Sequence, residues 1–182
     1  NSYRGRVYLY YGTSSGVSSS GSWTSDGEYT YNYFGIGLAS AGDVNGDGYA
    51  DIVIGASGYN NSKGKAYVFY GRSGSMGDTP DMFYESSDVS ADFGSCVSSA
   101  GDVNGDGYAD LAIGAYGYNN NRGRVTVYYG SSDGLPSSAN KTLTGYNDGD
   151  RYGFSMAPAG DVDADGYSDL IISMPYYSSN KG

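Results

Sequence analysis

Three stretches of the chain place carboxylates and amides at alternate positions. They are Asp43-Val-Asn-Gly-Asp-Gly-Tyr-Ala-Asp51, Asp102-Val-Asn-Gly-Asp-Gly-Tyr-Ala-Asp110 and Asp161-Val-Asp-Ala-Asp-Gly-Tyr-Ser-Asp169, and each starts 59 residues after the one before. Side-chain oxygens fall at positions 1, 3 and 5: Asp43, Asn45 and Asp47; Asp102, Asn104 and Asp106; Asp161, Asp163 and Asp165. A curled backbone brings such alternate oxygens to one point, and Gly48, Gly107 and Gly166 at position 6 permit the bend. The backbone carbonyls of Tyr49, Tyr108 and Tyr167 stand at position 7, and Asp51, Asp110 and Asp169 close the loops at position 9. An all-oxygen donor set with several carboxylates suits a hard cation, and suits Ca²⁺ better than Mg²⁺. Three calcium sites are therefore expected. Asp and Gly are also ordinary turn formers, but ligand spacing that recurs three times favours the metal.

The first half of each loop follows the spacing of an EF-hand, which would put Glu at position 12. This chain has Ile54, Ile113 and Ile172 there, inside what reads as a strand. The loop is thus a calcium-binding β-hairpin turn. Without metal, two like charges about 4 Å apart repel by on the order of 4 kcal/mol at an effective dielectric near 20. One site at a hundredfold excess of calcium over its dissociation constant adds about 2.7 kcal/mol. Three such sites would rival a domain's whole stability of roughly 5–15 kcal/mol. Identical sites in every repeat point to a structural role for the metal.

The charge balance follows from the loops. They hold 10 of the 20 acidic residues, and the other 10 balance the 10 Lys and Arg, so the net charge of −10 belongs to the sites. No basic footprint for nucleic acid exists, and no apolar run is long enough to insert in a membrane. The absence of His removes Ser-His and Cys-His nucleophile schemes, and no enzymatic activity is expected. A single Cys forms no internal disulfide. The start, Asn1-Ser-Tyr-Arg, is neither an initiator Met nor a signal peptide and reads as the end of a mature or excised segment.

The elements that must position these loops repeat with them. Phe34-Gly35, Phe93-Gly94 and Tyr152-Gly153 each lie nine residues before a first loop Asp, and between Gly42 and Asn61 17 of 20 positions match those between Gly101 and Asn120. Such self-similarity marks a modular array. Each period holds short segments rich in β-branched and aromatic residues, bounded by Gly, Asn, Asp and Ser, which read as strands. Ile52-Val-Ile54 is apolar without alternation, as in a strand covered on both faces. A weaker fourth strand is expected around Glu28 to Tyr31, Met82 to Glu85 and Lys141 to Thr144. Four strands per unit is the composition of a β-propeller blade.

Phe-Gly, then Asp-x-Asn-x-Asp-Gly-x-x-Asp, then Gly-Ala resembles the FG-GAP repeat of integrin alpha-chain β-propellers and their bacterial relatives, in three copies covering essentially the whole chain. The third copy departs, with Tyr152 for Phe, Asp163-Ala164 for Asn-Gly and Ser173-Met174-Pro175 for Gly-Ala-x. The expected fold is all-β, made of propeller blades of four antiparallel strands. Residues 34–92 and 93–151 form two blades, with a third split between 1–33 (its second half) and 152–182 (its first half). Residues 1–5 fall on the repeat positions of 178–182. A ring normally holds about four to eight blades, so three should not close on themselves. Another copy could complete the split blade head to tail, giving a six-bladed ring dimer or, without closure, a fibre; excision from a longer propeller is the alternative.

The resemblance implies an extracellular or cell-surface module for adhesion or ligand binding, its partner a protein or glycan. The alternative function is self-assembly through the split blade. Tyr59-Asn60-Asn61, Tyr118-Asn119-Asn120 and Tyr176-Tyr177-Ser178 occupy equivalent turns and suit adaptable contact, although Tyr packing at blade edges explains them too. Cys96, at the position of Gly37 and Ser155, reads as a small-residue slot. Asp148 and Asp150 read as solvated turn residues, and Asn60 and Asn140 begin glycosylation sequons.

Overall fold

The computed structural model describes residues 3–177, so the expected overlap of the two ends at 178–182, and Ser178, lie outside the described residues. Two four-stranded antiparallel meanders form the centre. One runs β5 (Gly37–Gly42), β6 (Asp51–Ala56), β7 (Lys65–Phe69) and β8 (Met82–Glu85); the other runs β9 (Cys96–Gly101), β10 (Asp110–Ala115), β11 (Arg124–Tyr128) and β12 (Lys141–Thr144). They share one register, with Ile52 opposite Phe69 in the first and Leu111 opposite Tyr128 in the second. Two two-stranded sheets flank them, β1 (Arg6–Leu9) with β4 (Trp23–Asp26), and β13 (Met156–Gly160) with β14 (Asp169–Ile172). Between β1 and β4 a small hairpin pairs β2 (Gly12–Thr13) with β3 (Gly16–Val17). In repeat register β1 and β4 correspond to β7 and β8, and β13 and β14 to β9 and β10. The fold is all-β, and these sheets match the strand composition of propeller blades.

The fourth strand of the first copy lies at Trp23–Asp26, not at the expected Glu28 to Tyr31. The buried Trp23 indole supplies the apolar anchor, stacking edge-on against Phe69 at 5.0 Å and donating its N–H to the Gly77 carbonyl at 2.9 Å. The alternation of Glu28-Tyr-Thr-Tyr31 imitates a strand but belongs to the connection into the next sheet.

Successive sheets bury apolar faces against one another. Val7, Trp23 and Phe34 meet Ile54, Tyr67 and Phe69; Val53, Val68 and Tyr84 meet Phe93, Leu111 and Tyr128; Ala112, Val125 and Val127 meet Met156. Strands β6 and β10 are covered on both faces, as their unbroken apolar runs predict. The Phe-Gly and Gly-Ala signatures turn out to be two halves of one junction. Within a repeat the Gly94 N–H donates to the Gly114 carbonyl (2.9 Å), and between repeats Gly55 lies so close to Gly94 that a Cβ would collide with its carbonyl. A Cβ on Gly114 would stand 2.5 Å from the Gly153 oxygen in the same way.

Candidate metal centres

Each acidic loop joins the first two strands of its sheet, and a register shift precedes it in all three copies, between Ser40 and Gly42, between Ser99 and Gly101, and between Pro158 and Gly160. The bulge turns the chain into a loop organised by its own first carboxylate. Asp43 Oδ1 accepts the N–H groups of Gly46 (2.7 Å) and Asp47 (3.1 Å), and Oδ2 that of Gly48 (2.9 Å). Asp102 repeats these bonds to Gly105, Asp106 and Gly107. At position 5, Asp47 Oδ1 accepts the Tyr49 N–H (2.9 Å) while Asn45 Oδ1 accepts the Asp47 N–H (3.1 Å). Asn104, Asp106 and Tyr108 repeat the arrangement.

Position 9 has a different role. Asp51 and Asp110 are fully buried. Asp51 Oδ2 accepts the Val44 N–H (2.9 Å) and Oδ1 the Gly71 N–H (2.8 Å); Asp110 binds Val103 (2.8 Å) and Gly130 (2.9 Å) likewise. Each ties its loop to the end of the third strand. Burial pushes both carboxylates up to about 6, opposed by the two N–H donors and reinforced by the loop's other carboxylates. A bound cation would oppose that rise.

The donor set fits a calcium ion. A carboxylate offers about four lone-pair sites, and after the three N–H bonds of Asp43 and two each of Asp47 and Asp51 every one keeps a site for metal. In the third loop Asp161, Asp163 and Asp169 bring one oxygen each within 4.8 Å of one another, and ligands at 2.3–2.6 Å from one Ca²⁺ can be that far apart. Here Asp163 replaces the Asn of the other loops, so three of the converging groups are carboxylates. Asp161 Oδ1 accepts the Asp165 N–H (3.1 Å), and the Tyr167 N–H donates to Asp165 (3.0 Å). Ala164 takes a left-handed φ of 60° where its counterparts are Gly46 and Gly105.

The loops are also chained to one another, which their sequences did not disclose. The Ala109 N–H donates to the Asp43 carbonyl (3.0 Å) and the Ser168 N–H to that of Asp102 (2.8 Å). The Tyr108 ring lies over Gly46, where a Cβ would come within 2.5 Å of it, and Tyr167 lies over Gly105 at 2.7 Å. The tyrosine at position 7, expected to offer only its carbonyl, thus also brings a side chain to the preceding loop.

The opposite strand ends carry tyrosines. Tyr59 and Tyr118 are half-buried, with Lys65 Nζ 4.7 Å from the ring of Tyr59 and the Arg124 guanidinium 4.0 Å from that of Tyr118. The packing explanation therefore accounts for much of both. Of the third predicted turn, Tyr176 and Tyr177 are exposed; exposed too are Tyr29, Tyr31 and Tyr33, which strand-pattern reasoning passed over, and their alternation in one repeat alone was the available signal. Asp148 is exposed and pairs with Arg122 (2.9 Å), but Asp150 is buried, because its Oδ2 accepts both the backbone and side-chain N–H of Asn147. The expectation that both are solvated is corrected on that point. Cys96 is half-buried in β9, and burial pushes its thiol up. Asn60 and Asn140 are exposed.

A family model described as FG-GAP repeat matches residues 34–69 and 93–128. The chain is 36% identical to mouse (Mus musculus) integrin alpha-IIb over 157 residues, 80% of its own length and 15% of that protein's. Against human (Homo sapiens) integrin alpha-IIb the identity is 36% over 167 residues, 85% of the chain and 16% of the relative, and against chicken (Gallus gallus) integrin alpha-V it is 32% over 181 residues, 92% and 17%. The chain thus spans about a sixth of the length of these relatives. Each matched stretch runs from Phe-Gly through the acidic hairpin loop and Gly-Ala to the end of the third strand, and the chain belongs to the FG-GAP repeat family.

Proposed function

We propose that the chain is a calcium-stabilised β-propeller segment acting outside the cell or at its surface in adhesion or ligand binding. Two blades, 34–92 and 93–151, lie between the half-blades 1–33 and 152–182. Calcium is held by Asp43, Asn45, Asp47, the Tyr49 carbonyl and Asp51, by their counterparts Asp102, Asn104, Asp106, Tyr108 and Asp110, and by Asp161, Asp163, Asp165, Tyr167 and Asp169. The converging oxygens of Asp161, Asp163 and Asp169 are the observation that carries the reading. The likeness to integrin alpha chains supports an adhesive role, and among the described residues no helix is long and apolar enough to cross a membrane. The binding loops lie at the strand ends opposite the metal. Thermal melting in calcium and in chelator tests the metal half of this reading. Capture on a glycan array or in a pull-down, lost on replacing Tyr59, Tyr118 and Tyr177, tests the binding half.

A second reading is self-assembly, and the half-blades favour it. Ile171 is 63% exposed although its counterparts Val53 and Ala112 are fully buried, and Tyr8 is 53% exposed against 3% for Tyr67. By repeat register Gly12 corresponds to Gly71 and Gly130, the donors to Asp51 and Asp110, and would supply the same N–H to Asp169 of another copy. Light scattering decides: a calcium-dependent dimer or fibre supports self-assembly, and a monomer at all concentrations removes it.

A further inference from the structure

At the end opposite the metal loops, residues 29–33 and 58–62 enclose a cleft of about 640 Å³, within the range of ligand sites. We propose that this cleft binds a neutral oligosaccharide. The inference rests on the reading that loops at this end bind a ligand, and it names the ligand's class.

The lining carries the chemistry. Tyr29, Tyr31, Tyr33 and Tyr59 supply aromatic faces, Asn32 and Asn60 supply amides, and among the described residues no charged side chain lines the cleft. Tyr29, Tyr31 and Tyr33 are 63%, 55% and 43% exposed. A pyranose ring presents an apolar C–H face and a rim of hydroxyls, so it matches flat rings beside groups that both donate and accept. Gly58 makes the cradle: its N–H donates to the Asn32 carbonyl (3.1 Å), and a Cβ would meet Tyr33 Cδ2 at 2.6 Å.

Two features mark the cleft as more than a by-product of the fold. Tyr31 and Tyr33 hold left-handed φ angles of 62° and 53°, a conformation that bulky residues resist and that concentrates at ligand sites. The fold does not need tyrosine there, since the corresponding left-handed positions carry Ser90 and Asp92 in the next repeat and Gly149 and Arg151 in the third. The second feature is Asn32, 2% exposed, whose Nδ2 has no hydrogen-bond partner among the described residues; its counterparts are Ala91 and Asp150. A buried unpaired donor is costly and is explained where a ligand oxygen completes it.

The next repeat supplies an internal contrast. The same backbone forms a cleft of about 690 Å³ from residues 88–92 and 117–121, but Asp88, Val89 and Ser90 replace Tyr29, Thr30 and Tyr31. Of the four rings it keeps only Tyr118, the counterpart of Tyr59, so a sugar would meet one aromatic face instead of several. A peptide strand is disfavoured in the tyrosine cleft, because backbone groups of its turns already pair with one another, as Ser62 N–H does with the Gly58 carbonyl. An anionic chain would meet no Lys or Arg side chain among the described residues that line the cleft.

The test is calorimetric titration of the 182-residue chain in calcium with cellohexaose, mannohexaose, N-acetylchitohexaose and hexagalacturonate. At least one neutral hexasaccharide should bind and hexagalacturonate should not. Tyr29→Ala and Tyr31→Ala should each weaken binding roughly tenfold, and Asp88→Asn should leave it unchanged. Tyr31→Gly, which suits the left-handed backbone, should weaken binding equally without lowering the melting temperature. The proposal is overturned if no neutral hexasaccharide binds at millimolar concentration, if only hexagalacturonate binds, or if binding survives Tyr29→Ala and Tyr31→Gly. Capture of a protein by these loops without any sugar would overturn it while leaving the adhesive role standing, and calcium-independent melting would strike that role's metal half alone.

Discussion

The two ends of the strands follow different rules from repeat to repeat within one chain. At the metal end the repeats are near copies, and Asp43 to Asp51 and Asp102 to Asp110 are identical at every position. At the tyrosine end one wall of the clefts is also constant, Gly58 to Asn61 and Gly117 to Asn120 being identical, but in the other wall residues 29–33, 88–92 and 147–151 occupy the same place and share no residue at any aligned position. Their backbones nevertheless agree, with left-handed Tyr31 and Tyr33 matched by left-handed Ser90 and Asp92. Uniformity suits a task each blade must do alike, holding its hairpin and gripping its neighbour. Variation on a constant backbone suits a surface that recognises something.

Substitutions at the metal end should therefore reduce stability and leave binding to follow it. The largest effect is expected for Asp110→Ala, which strands the Val103 and Gly130 N–H groups and removes a proposed ligand. The cost is about 3 kcal/mol or more, read by chemical denaturation in calcium. An Asp110→Ala protein as stable as the parent would mean that position 9 neither latches the strand nor binds metal. A smaller and opposite effect is expected for Ala164→Gly, which relieves a left-handed alanine and should stabilise by about 1 kcal/mol. Smaller still is Tyr29→Ala. That exposed ring should change stability by no more than about 0.5 kcal/mol while lowering ligand capture. A large loss of stability there would erase the difference between the ends.

Much of this was legible in the residues. The period placed the strands of the two whole sheets, the unbroken apolar runs marked β6 and β10 as doubly covered, and alternate carboxylates located the acidic loops. Long-range relations were not legible. Phe-Gly and Gly-Ala are far apart in the chain, and only their contact across a sheet junction explains why both must be glycine. Asp51 looked like one ligand among five, but burial and its bond to Gly71, 20 residues on, make it a latch as well. The first copy's fourth strand was displaced because an exposed connection, Glu28 to Tyr31, alternates as a strand does, while the anchor that fixes the true strand is a single buried tryptophan. Asp150 misled for a related reason: local polarity gave no sign that the Asn147 amide would carry it under cover.

The central claim, that calcium in the three loops holds the sheets together, is tested most directly by thermal melting in calcium and in chelator, paired with a calcium titration. The expected result is three ions bound per chain and a melting temperature well above that of the chelated protein, by several kcal/mol of added stability at saturating metal (about 2.7 kcal/mol per site at a hundredfold excess over its dissociation constant). Equal melting in calcium and chelator, or no bound ion, would contradict it.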